Sequence, residues 1–394
     1  MKQESDSLHA RVRAFIAAAM HGDATESFDA LSTDIARFQI ERVAPVRRLA
    51  IARGLAGADL AEASQIPAVP TDVFRFARVA AHPSEEDVAV FRTSGTTSGA
   101  RGEHSFRTLA TYDAAAVAWA SRHLLSHPAD AAPSSRRGER PGATSASDSA
   151  AAPRRTERPG PSMLTDATVI SLTPPPDEAT DSSLVHMIAL FARTQRAPVS
   201  FHLDGGALDP RTVAAACARA RKRARPAILF GTSFAFVHLI DSAGSFDLSL
   251  PEGSRAMLTG GFKGRSREVP ADELRAAIAK TFGLPDGSVV GEYGMTELSS
   301  QLYERTLVKT ATRHDVYAAP PWVRVTAVDP ATLEPLPEGE IGIARIVDLA
   351  NVDSAVVVQT ADRVRVTGDE VELFGRLPGA TPRGCSLAVE EMLE

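Results

Sequence analysis

The sequence predicts an α/β fold with a largely parallel sheet, and three observations support this prediction. Short apolar runs alternate with helix-like stretches between about residues 167 and 240, as they do where helices connect parallel strands. Beyond residue 321 the pattern changes to short β segments. The chain has 394 residues, of which 44% are hydrophobic and 23% charged, so it can form one large domain or two ordinary ones with a substantial core.

The individual elements follow from apolar periodicity and from breaker residues. Apolar positions at helical spacing predict helices over residues 8–63. The prolines within 65–75 favour an extended path, and the apolar run 88–91 predicts a strand. The remaining predicted strands are 167–172, 198–203, 227–230, 323–328, 342–347, 355–358 and 372–374, and the remaining predicted helices are 181–194, 211–224 and 234–240.

Residues 126–162 differ sharply in composition from the rest of the chain. They are rich in Ala, Ser, Pro, Gly and Arg and contain almost no bulky apolar side chain. Such a stretch cannot bury enough apolar surface to offset the entropy of ordering it, so we predict a disordered insertion. A solvated loop fits its arginines better than an anion-binding site does.

Charge and cysteine content exclude several classes of function. A net charge of −6 gives no basic footprint, so we expect no nucleic-acid partner. The two cysteines, Cys217 and Cys385, cannot form a disulfide framework, and we expect a cytoplasmic location. We find neither a secretory signal pattern nor an apolar run of about 18 residues, so we expect no membrane span.

The densest chemical signal is a Ser/Thr/Gly run that follows the strand predicted at 88–91. Its glycines let backbone N–H groups close on an anion, and its hydroxyl groups can donate further hydrogen bonds. No Lys-Ser/Thr pair follows at the place that a Walker loop requires. A phosphate loop and an ordinary turn both remain open for this run alone. The candidate residues are Thr93, Ser94, Gly95, Thr96, Thr97, Ser98 and Gly99.

A second motif, Val289-Val-Gly-Glu-Tyr-Gly-Met-Thr-Glu297, runs from an apolar strand into a glycine-flanked ring and a Thr-Glu pair. Tyr293 is suited to stack on a base. Glu297 is suited to bind Mg²⁺, which prefers carboxylate and phosphate oxygens. The alternative is a strand–turn–helix in which Glu297 stands in the first helical turn, where the helix dipole favours an acid.

A third motif is Gln359-Thr-Ala-Asp362, followed by Gly375-Arg376. An aspartate at a strand end can accept hydrogen bonds from both ribose hydroxyls, and an arginine beyond it can pair with phosphate. Taken in isolation, a turn acid and a surface arginine fit better. A second Thr-Gly-Asp at 367–369 lies so close to Gly375 that we predict a hairpin turn there.

In this order the three motifs resemble the adenylate-forming superfamily of acyl-CoA ligases, luciferases and peptide-synthetase adenylation domains. Further stretches resemble the LuxE-type acyl-protein synthetases within it, and the resemblance covers about residues 40–390 apart from the insertion. It implies the N-terminal domain of adenylate-forming enzymes over residues 1–372, with mostly parallel sheets, flanking helices and a small β subdomain. The C-terminal lid would be reduced to a stub over 373–394. The stretches that carry the narrower resemblance are 66–75, 181–184, 229–232, 258–264 and, most specifically, 375–387.

The resemblance also implies the substrates and a role for each motif. ATP, Mg²⁺ and a fatty acid or other carboxylic acid would be bound, and an acyl-reductase protein is a possible partner. Residues 93–99 would hold the β- and γ-phosphates. The roles at the nucleotide would be adenine packing by Tyr293 with Gly294, α-phosphate contact by Thr296, Mg²⁺ binding by Glu297, ribose binding by Asp362 and a hinge position for Arg376.

Two departures from the family pattern affect these expectations. The family's phosphate loop often ends in a lysine, whereas Ala100-Arg101 follows here, so Arg101 is a candidate replacement. The catalytic lysine of the superfamily's lid has no counterpart in this chain. Lys263, in a glycine-rich turn, is a further candidate for contact with the acyl carboxylate or a phosphate, although an exposed lysine fits equally well.

Cys385 matches the C-terminal cysteine to which LuxE-type synthetases are thought to transfer the acyl group. Arg383, two residues before it, favours the thiolate, which is the nucleophilic form. Cys217 lies in a predicted helix and is expected to be a packing residue.

Two alternative functions remain. The first is a serine hydrolase with Ser233 as nucleophile, because Gly231-Thr-Ser-Phe-Ala235 weakly resembles a nucleophile elbow. The second is a non-catalytic nucleotide-binding relative of the family.

Overall fold

The computed structural model describes residues 2–55, 60–94, 100–126, 164, 167–260, 269–285, 287–307, 314–377, 388–389 and 391–393. Several predictions therefore lie outside the described residues and stay predictions. They concern the loop positions Gly95 to Gly99, almost all of the insertion 126–162, Lys263 and Cys385.

Helices flank the sheet, and their ends follow local chemistry. The Ser182 side chain accepts a hydrogen bond from the Val185 N–H and caps one helix. Asp209 caps the next, with Pro210 as its first residue. Gly283, in the left-handed conformation, ends a third. The helices are α1 (Lys2–His21), α2 (Phe28–Arg42), α3 (Ala44–Ala52), α4 (Val73–Phe76), α5 (Ala110–His123), α6 (Ser183–Thr194), α7 (Pro210–Arg223), α8 (Ser233–Ser242) and α9 (Ala271–Phe282).

The strands of the described chain are short, apart from one of 11 residues, β15 (Val357–Thr367). The others are β1 (Val69–Pro70), β2 (Ala89–Arg92), β3 (Glu103–Phe106), β4 (Thr168–Ser171), β5 (Val199–Phe201), β6 (Leu203–Asp204), β7 (Ala207–Leu208), β8 (Ala227–Thr232), β9 (Arg255–Thr259), β10 (Val289–Tyr293), β11 (Leu302–Glu304), β12 (Val316–Ala318), β13 (Val323–Val328), β14 (Ile341–Asp348) and β16 (Glu370–Arg376).

A 12-stranded mixed sheet joins both halves of the described chain. Its order is β13-β14-β15-β16-β12-β11-β10-β9-β8-β4-β5, and β1 pairs with β15. The five strands from β10 to β5 are parallel to their neighbours, whereas the strands from β13 to β10 pair in antiparallel fashion. Two hairpins, β2–β3 and β6–β7, form small sheets of their own.

The α/β prediction is confirmed, but the expectation of mostly parallel sheets was wrong. Short connections such as the turn between Thr367 and Glu370 return the chain directly to the neighbouring strand, and so tight a turn can join only antiparallel strands. The short β segments predicted beyond residue 321 pair into the large sheet. The predicted hairpin turn at 367–369 is confirmed, and the domain boundary predicted at 372 lies within β16 and stays a prediction.

Both faces of the parallel strands are covered. Along β8, Ile228 and Phe230 belong to an apolar cluster shared with helices α1 to α3, α5 and α6, whereas Leu229 belongs to a second cluster with α7 to α9. This alternation is the period of two that a strand imposes. Burial on both faces explains why these strands are almost continuously apolar.

The last described residues return to the N-terminal helices. Ala388 and Met392 are buried in the first cluster, and Arg48 Nη1 donates to the Met392 carbonyl at 2.9 Å. Among the helices of the described ranges, none combines the length and the apolar character needed to cross a membrane.

Candidate functional site

The candidate site lies where the parallel strands end. Thr232 at the end of β8 is level with Thr259 at the end of β9, and Thr259 is level with Glu292 near the end of β10. Ligands of open α/β sheets bind outside the carboxyl ends of parallel strands. This edge of the sheet is therefore the natural place to look for the predicted site residues.

Hydrogen bonds fix both ends of the Ser/Thr/Gly run. The Thr93 N–H donates to the Gly102 carbonyl, and the Gly102 N–H donates to Thr93 Oγ1, both at 2.9 Å. Arg75 Nε donates to the Ala100 carbonyl at 3.1 Å. The loop therefore begins and ends at a closed base on the β2–β3 hairpin.

Arg101 stabilises the base of the loop by hydrogen bonds. Its Nε donates to the Thr93 carbonyl at 2.6 Å, and its Nη1 pairs with Asp181 Oδ2 at 2.7 Å. The Asp181 carbonyl in turn accepts a hydrogen bond from the Arg92 N–H at 2.8 Å. Since the guanidinium is engaged with the ends of the loop and with Asp181, the structure does not support Arg101 as the loop cation.

A tight turn after β10 presents the Thr-Glu pair. The Leu298 N–H donates to the Met295 carbonyl at 3.2 Å, so Thr296 and Glu297 are the central residues of a β-turn. Residues 294–300 contain no helix. The alternative in which Glu297 stands in a first helical turn is therefore wrong.

Glu297 lies beside the base of the loop. Its side chain is buried with 7% exposure, and a Cβ atom added to Gly102 would lie 3.5 Å from Glu297 Oε1 and 3.0 Å from Thr93 Cγ2. A side chain at position 102 would therefore be tight against the Thr93 methyl group and in ordinary contact with the Glu297 carboxylate.

Two side chains hold the backbone of this turn. His104 Nδ1 donates to the Thr296 carbonyl at 2.8 Å, and His104 Nε2 accepts from the Ser354 hydroxyl at 2.8 Å. Asn351 Nδ2 donates to the Glu297 carbonyl at 2.9 Å. Burial lowers the pKa of His104 to about 4, so its ring is neutral at pH 7.

The predicted ribose acid contacts the predicted adenine-packing ring. The Tyr293 hydroxyl donates to Asp362 Oδ2 at 2.8 Å, and Arg376 Nε lies 3.7 Å from Asp362 Oδ1. Burial, and then the charge of Asp362, raise the pKa of Tyr293 well above its usual value. The phenol is therefore a neutral donor to the carboxylate.

This contact requires a curved sheet. In strand order, β16, β12 and β11 lie between β10, which carries Tyr293, and β15, which carries Asp362. Four steps of about 4.8 Å would separate β10 from β15 by about 19 Å in a flat sheet. The sheet therefore curls and brings the second and third sequence motifs close together.

A buried acid that our sequence interpretation overlooked lies in the same strand. Glu292 is 6% exposed and accepts a hydrogen bond from the Thr259 hydroxyl. Burial raises the pKa of Glu292 to about 7, although the hydrogen bond opposes this shift. A Cβ atom on Gly294 would lie 2.4 Å from Glu292 Oε1, so a side chain there would require this carboxylate to shift. The available signal was a charged residue within an otherwise apolar strand.

A buried ion pair supports β10 from its other side. Arg275 donates two hydrogen bonds of 2.7 Å to the Glu304 carboxylate, which also accepts from the Gly291 N–H at 2.6 Å. A Cβ atom on Gly291 would lie 2.7 Å from Glu304 Cδ. The first glycine of the motif therefore makes room for this carboxylate.

The two other nucleophile candidates in the described residues are both buried. Ser233 is 6% exposed, and its hydroxyl donates to the Gly260 carbonyl at 2.6 Å, so the hydrolase alternative lacks a base that receives this proton. Cys217 is fully buried, and burial raises its pKa to about 12. The expectation that Cys217 is a packing residue is confirmed.

Comparison with solved structures supports the fold. The open conformation of 2-hydroxyisobutyryl-CoA ligase in complex with 2-HIB-AMP and CoA has a TM-score of 0.59 at 13% identity, covering 88% of this chain and 69% of that one. The thioesterification state of that ligase has a TM-score of 0.59 at 14% identity, with 95% and 69% coverage. At these identities the likeness shows a shared architecture.

Sequence relatives are more specific. The long-chain-fatty-acid–luciferin-component ligase of Vibrio harveyi is 28% identical over 145 residues, which is 34% of this chain and 36% of that protein. The enzyme of the same name from Aliivibrio fischeri is 22% identical over 210 residues, which is 50% of this chain and 54% of that protein. The chain thus spans between about a third and about half of the length of these curated relatives.

The match to a family profile includes the second and third motifs of the candidate site. The sequence profile of the family "Acyl-protein synthetase, LuxE" matches residues 188–394, more than half of the chain. The match begins after the Ser/Thr/Gly run and includes Tyr293, Glu297 and Asp362. The chain therefore belongs to the LuxE family of acyl-protein synthetases.

Proposed function

We propose that this protein uses ATP to activate a fatty acid or another carboxylic acid as acyl-AMP, and then transfers the acyl group to a cysteine thiol. The observation that carries the proposal is the position of Glu297 beside Gly102 and Thr93, at the closed base of the Ser/Thr/Gly run. Family membership and the names of the luciferin-component ligases support the substrate class.

The nucleoside would bind where the second and third motifs meet. Asp362 keeps a side-chain exposure of 23%, and its carboxylate is oriented by the Tyr293 hydroxyl from one side. It would accept hydrogen bonds from the ribose hydroxyls. Arg376 opposite it would offset the charge, and the Tyr293 ring, next to Gly294, would pack on the base.

The triphosphate and Mg²⁺ would bind between the loop and the turn. Glu297 would supply a carboxylate oxygen, the kind of ligand that Mg²⁺ prefers, beside the base of the loop at Thr93 and Gly102. When bound, the ion would neutralise charge on the departing pyrophosphate. Thr296 would contact the α-phosphate, with residues 94–99 around the β- and γ-phosphates.

The reaction would proceed in two displacements. An oxygen of the substrate carboxylate attacks the α-phosphorus, the bond to the bridging oxygen breaks, and pyrophosphate leaves. The thiolate of Cys385 then attacks the acyl carbon of the mixed anhydride, AMP leaves, and a thioester remains. Release of the acyl group to a partner acyl reductase would follow. Cys217 does not suit the acceptor role, because burial keeps its thiol neutral.

Acid-dependent exchange of labelled pyrophosphate into ATP tests the first step. We expect exchange that requires Mg²⁺ and an added carboxylic acid, and a loss of at least about tenfold in Glu297→Gln. Glu273→Gln, at an exposed acid in the first turn of α9, is the matched control and should exchange normally. ATP binding without exchange across a broad acid panel would instead identify a non-catalytic relative.

Retention of labelled acid on the denatured protein tests the second step. The wild-type protein and Cys217→Ala should retain the label, whereas Cys385→Ser should lose it while continuing to exchange pyrophosphate. Hydroxylamine should release the label, as expected of a thioester. Equal labelling of Cys385→Ser and wild type would exclude Cys385 as the acceptor.

A further inference from the structure

The two halves of the proposed phosphate site belong to separate parts of the fold. The Ser/Thr/Gly run connects β2 and β3, and these two strands form a sheet of their own. The turn that carries Thr296 and Glu297 follows β10 of the large sheet. Among the described residues no strand ladder joins the two sheets, so contacts outside the ladders set their relative position, and these include side-chain hydrogen bonds.

His104 makes such a contact. It lies in β3, two residues after Gly102, and its Nδ1 reaches the Thr296 carbonyl at 2.8 Å. A carbonyl oxygen only accepts, so Nδ1 carries the proton and donates it. The other ring nitrogen, Nε2, then accepts the Ser354 hydroxyl hydrogen bond at 2.8 Å. These two partners together specify one tautomer of the ring.

Packing leaves the ring little freedom. His104 is 2% exposed, and its ring centroid lies 4.2 Å from that of Phe106 and 5.7 Å from that of Phe74. Burying an imidazole is costly unless its nitrogens are hydrogen-bonded, and both are. Apolar packing alone explains the position of the ring, but it does not account for the two directed hydrogen bonds.

Ser354 connects the same ring to a third element. It belongs to the segment between β14 and β15, and Asn351 of that segment donates to the Glu297 carbonyl at 2.9 Å. The peptide groups of Thr296 and Glu297 are therefore each held by a side chain, one on the hairpin and one in the segment between β14 and β15.

We infer that His104 is a positioning residue that joins the β2–β3 hairpin, which carries Thr93 and Gly102, to the Thr296–Glu297 turn, so that the described parts of the proposed Mg·ATP site are held in one arrangement. This inference rests on the proposed function. It assigns His104 no contact with substrate. Its effect should appear in the use of Mg·ATP and not in the affinity for the acid.

Three substitutions separate the hydrogen bond from the packing. His104→Phe keeps a ring but removes both hydrogen bonds, and should lower kcat/KM for Mg·ATP in the exchange reaction by about tenfold to a hundredfold, with an unchanged KM for the acid. His104→Asn places an amide donor near the Nδ1 position and should recover activity to within about threefold of wild type. His104→Gln places its amide near the Nε2 position and should stay as impaired as His104→Phe.

Two controls accompany these variants. Ser354→Ala removes the outer hydrogen bond but keeps the donor to Thr296, and should have a smaller effect than His104→Phe. His82→Phe replaces another buried histidine, one whose Nε2 lies 2.8 Å from Asp87, and should leave kcat/KM for Mg·ATP unchanged. Equal activity of the Asn and Gln variants, or wild-type activity in His104→Phe, would overturn the inference. Thermal melting of every variant corrects for loss of folded protein.

A measurement without activity separates this inference from the proposed function. In protein labelled with ¹⁵N-histidine, the His104 resonance, identified among the ten histidines by its loss in His104→Asn, should report a neutral ring protonated at Nδ1. An Nε2–H tautomer would leave no donor for the Thr296 carbonyl and would overturn the inference. If the wild type shows the Nδ1–H tautomer but catalyses no exchange, only the proposed function fails.

Discussion

Replacing Glu292 with glutamine should stabilise the protein relative to wild type, and this stabilisation should be larger at pH 8 than at pH 5. Burial raises the pKa of the Glu292 carboxyl from 4.5 to about 7. In the unfolded chain the group ionises near its ordinary value. The folded state therefore binds the proton more tightly, and wild-type stability falls as the pH rises from about 4.5 to about 7.

The size of the effect follows from the shift. A displacement of about 2.5 pKa units corresponds to about 3 kcal/mol, reached once the pH exceeds the folded-state value. At pH 5 the raised pKa of Glu292 lowers the stability of the wild type by only about 1 kcal/mol. Glutamine is a neutral isostere whose amide oxygen still accepts the Thr259 hydroxyl hydrogen bond. The stability gained by the variant should therefore grow by about 2 to 3 kcal/mol between pH 5 and pH 8.

Urea unfolding of both proteins at pH 5, 6, 7 and 8 measures this difference. Other buried acids also give the wild type a pH dependence, among them Asp348, whose pKa burial raises to about 6. These contributions cancel in the comparison because both proteins share them. Glu41→Gln, at a side chain with 65% exposure, is the control and should change stability by less than about 0.5 kcal/mol at every pH.

A difference that stays constant from pH 5 to pH 8 would mean that Glu292 is already ionised in the folded protein at pH 5. A difference that shrinks with rising pH would mean that the folded state stabilises the carboxylate. Either result would refute the argument from burial.

Three further substitutions test contacts around the site by urea unfolding. Arg275→Met leaves Glu304 as an uncompensated buried charge and should cost about 3 to 5 kcal/mol, and a loss below about 1 kcal/mol would contradict this reasoning. Gly291→Ala would place a Cβ atom 2.7 Å from Glu304 Cδ and should cost about 1 to 3 kcal/mol, whereas an unchanged midpoint would show that the strand moves aside freely. Tyr293→Phe removes the hydrogen bond to Asp362 and should cost about 0.5 to 1.5 kcal/mol, and a gain in stability would refute that estimate.

Sequence periodicity predicted most of the elements, because buried strands and buried helix faces appear as apolar patterns in the sequence. The prediction for 323–328 coincides with β13, and the prediction for 227–230 falls within β8. Strand direction was harder to predict, since an apolar run does not reveal which way its neighbour points. The short connections after residue 321 indicated antiparallel strands. The prediction of parallel sheets was instead based on the strands before residue 321.

The site was predictable as far as its residues form local motifs. Tyr293, Glu297 and Asp362 stood out because each ends or follows an apolar run of the sequence, although Asp362 lies within β15 in the structure. His104 did not, because its partners Thr296 and Ser354 are 192 and 250 residues away in sequence. No local pattern distinguishes a histidine that bridges two sheets from one that fills a core.

Four acids around β10 lie in different environments. Glu304 is fully buried and engaged by Arg275, and Glu292 is held largely protonated below pH 7 by burial. Asp362 has 23% exposure beside a neutral phenol donor, and Glu297 lies at the base of the loop. Environments that separate neighbouring acids in this way assign them different roles. In the proposed reaction Glu297 would bind Mg²⁺ and Asp362 the ribose, as the family resemblance implies, although all four acids lie in or beside the same curved sheet.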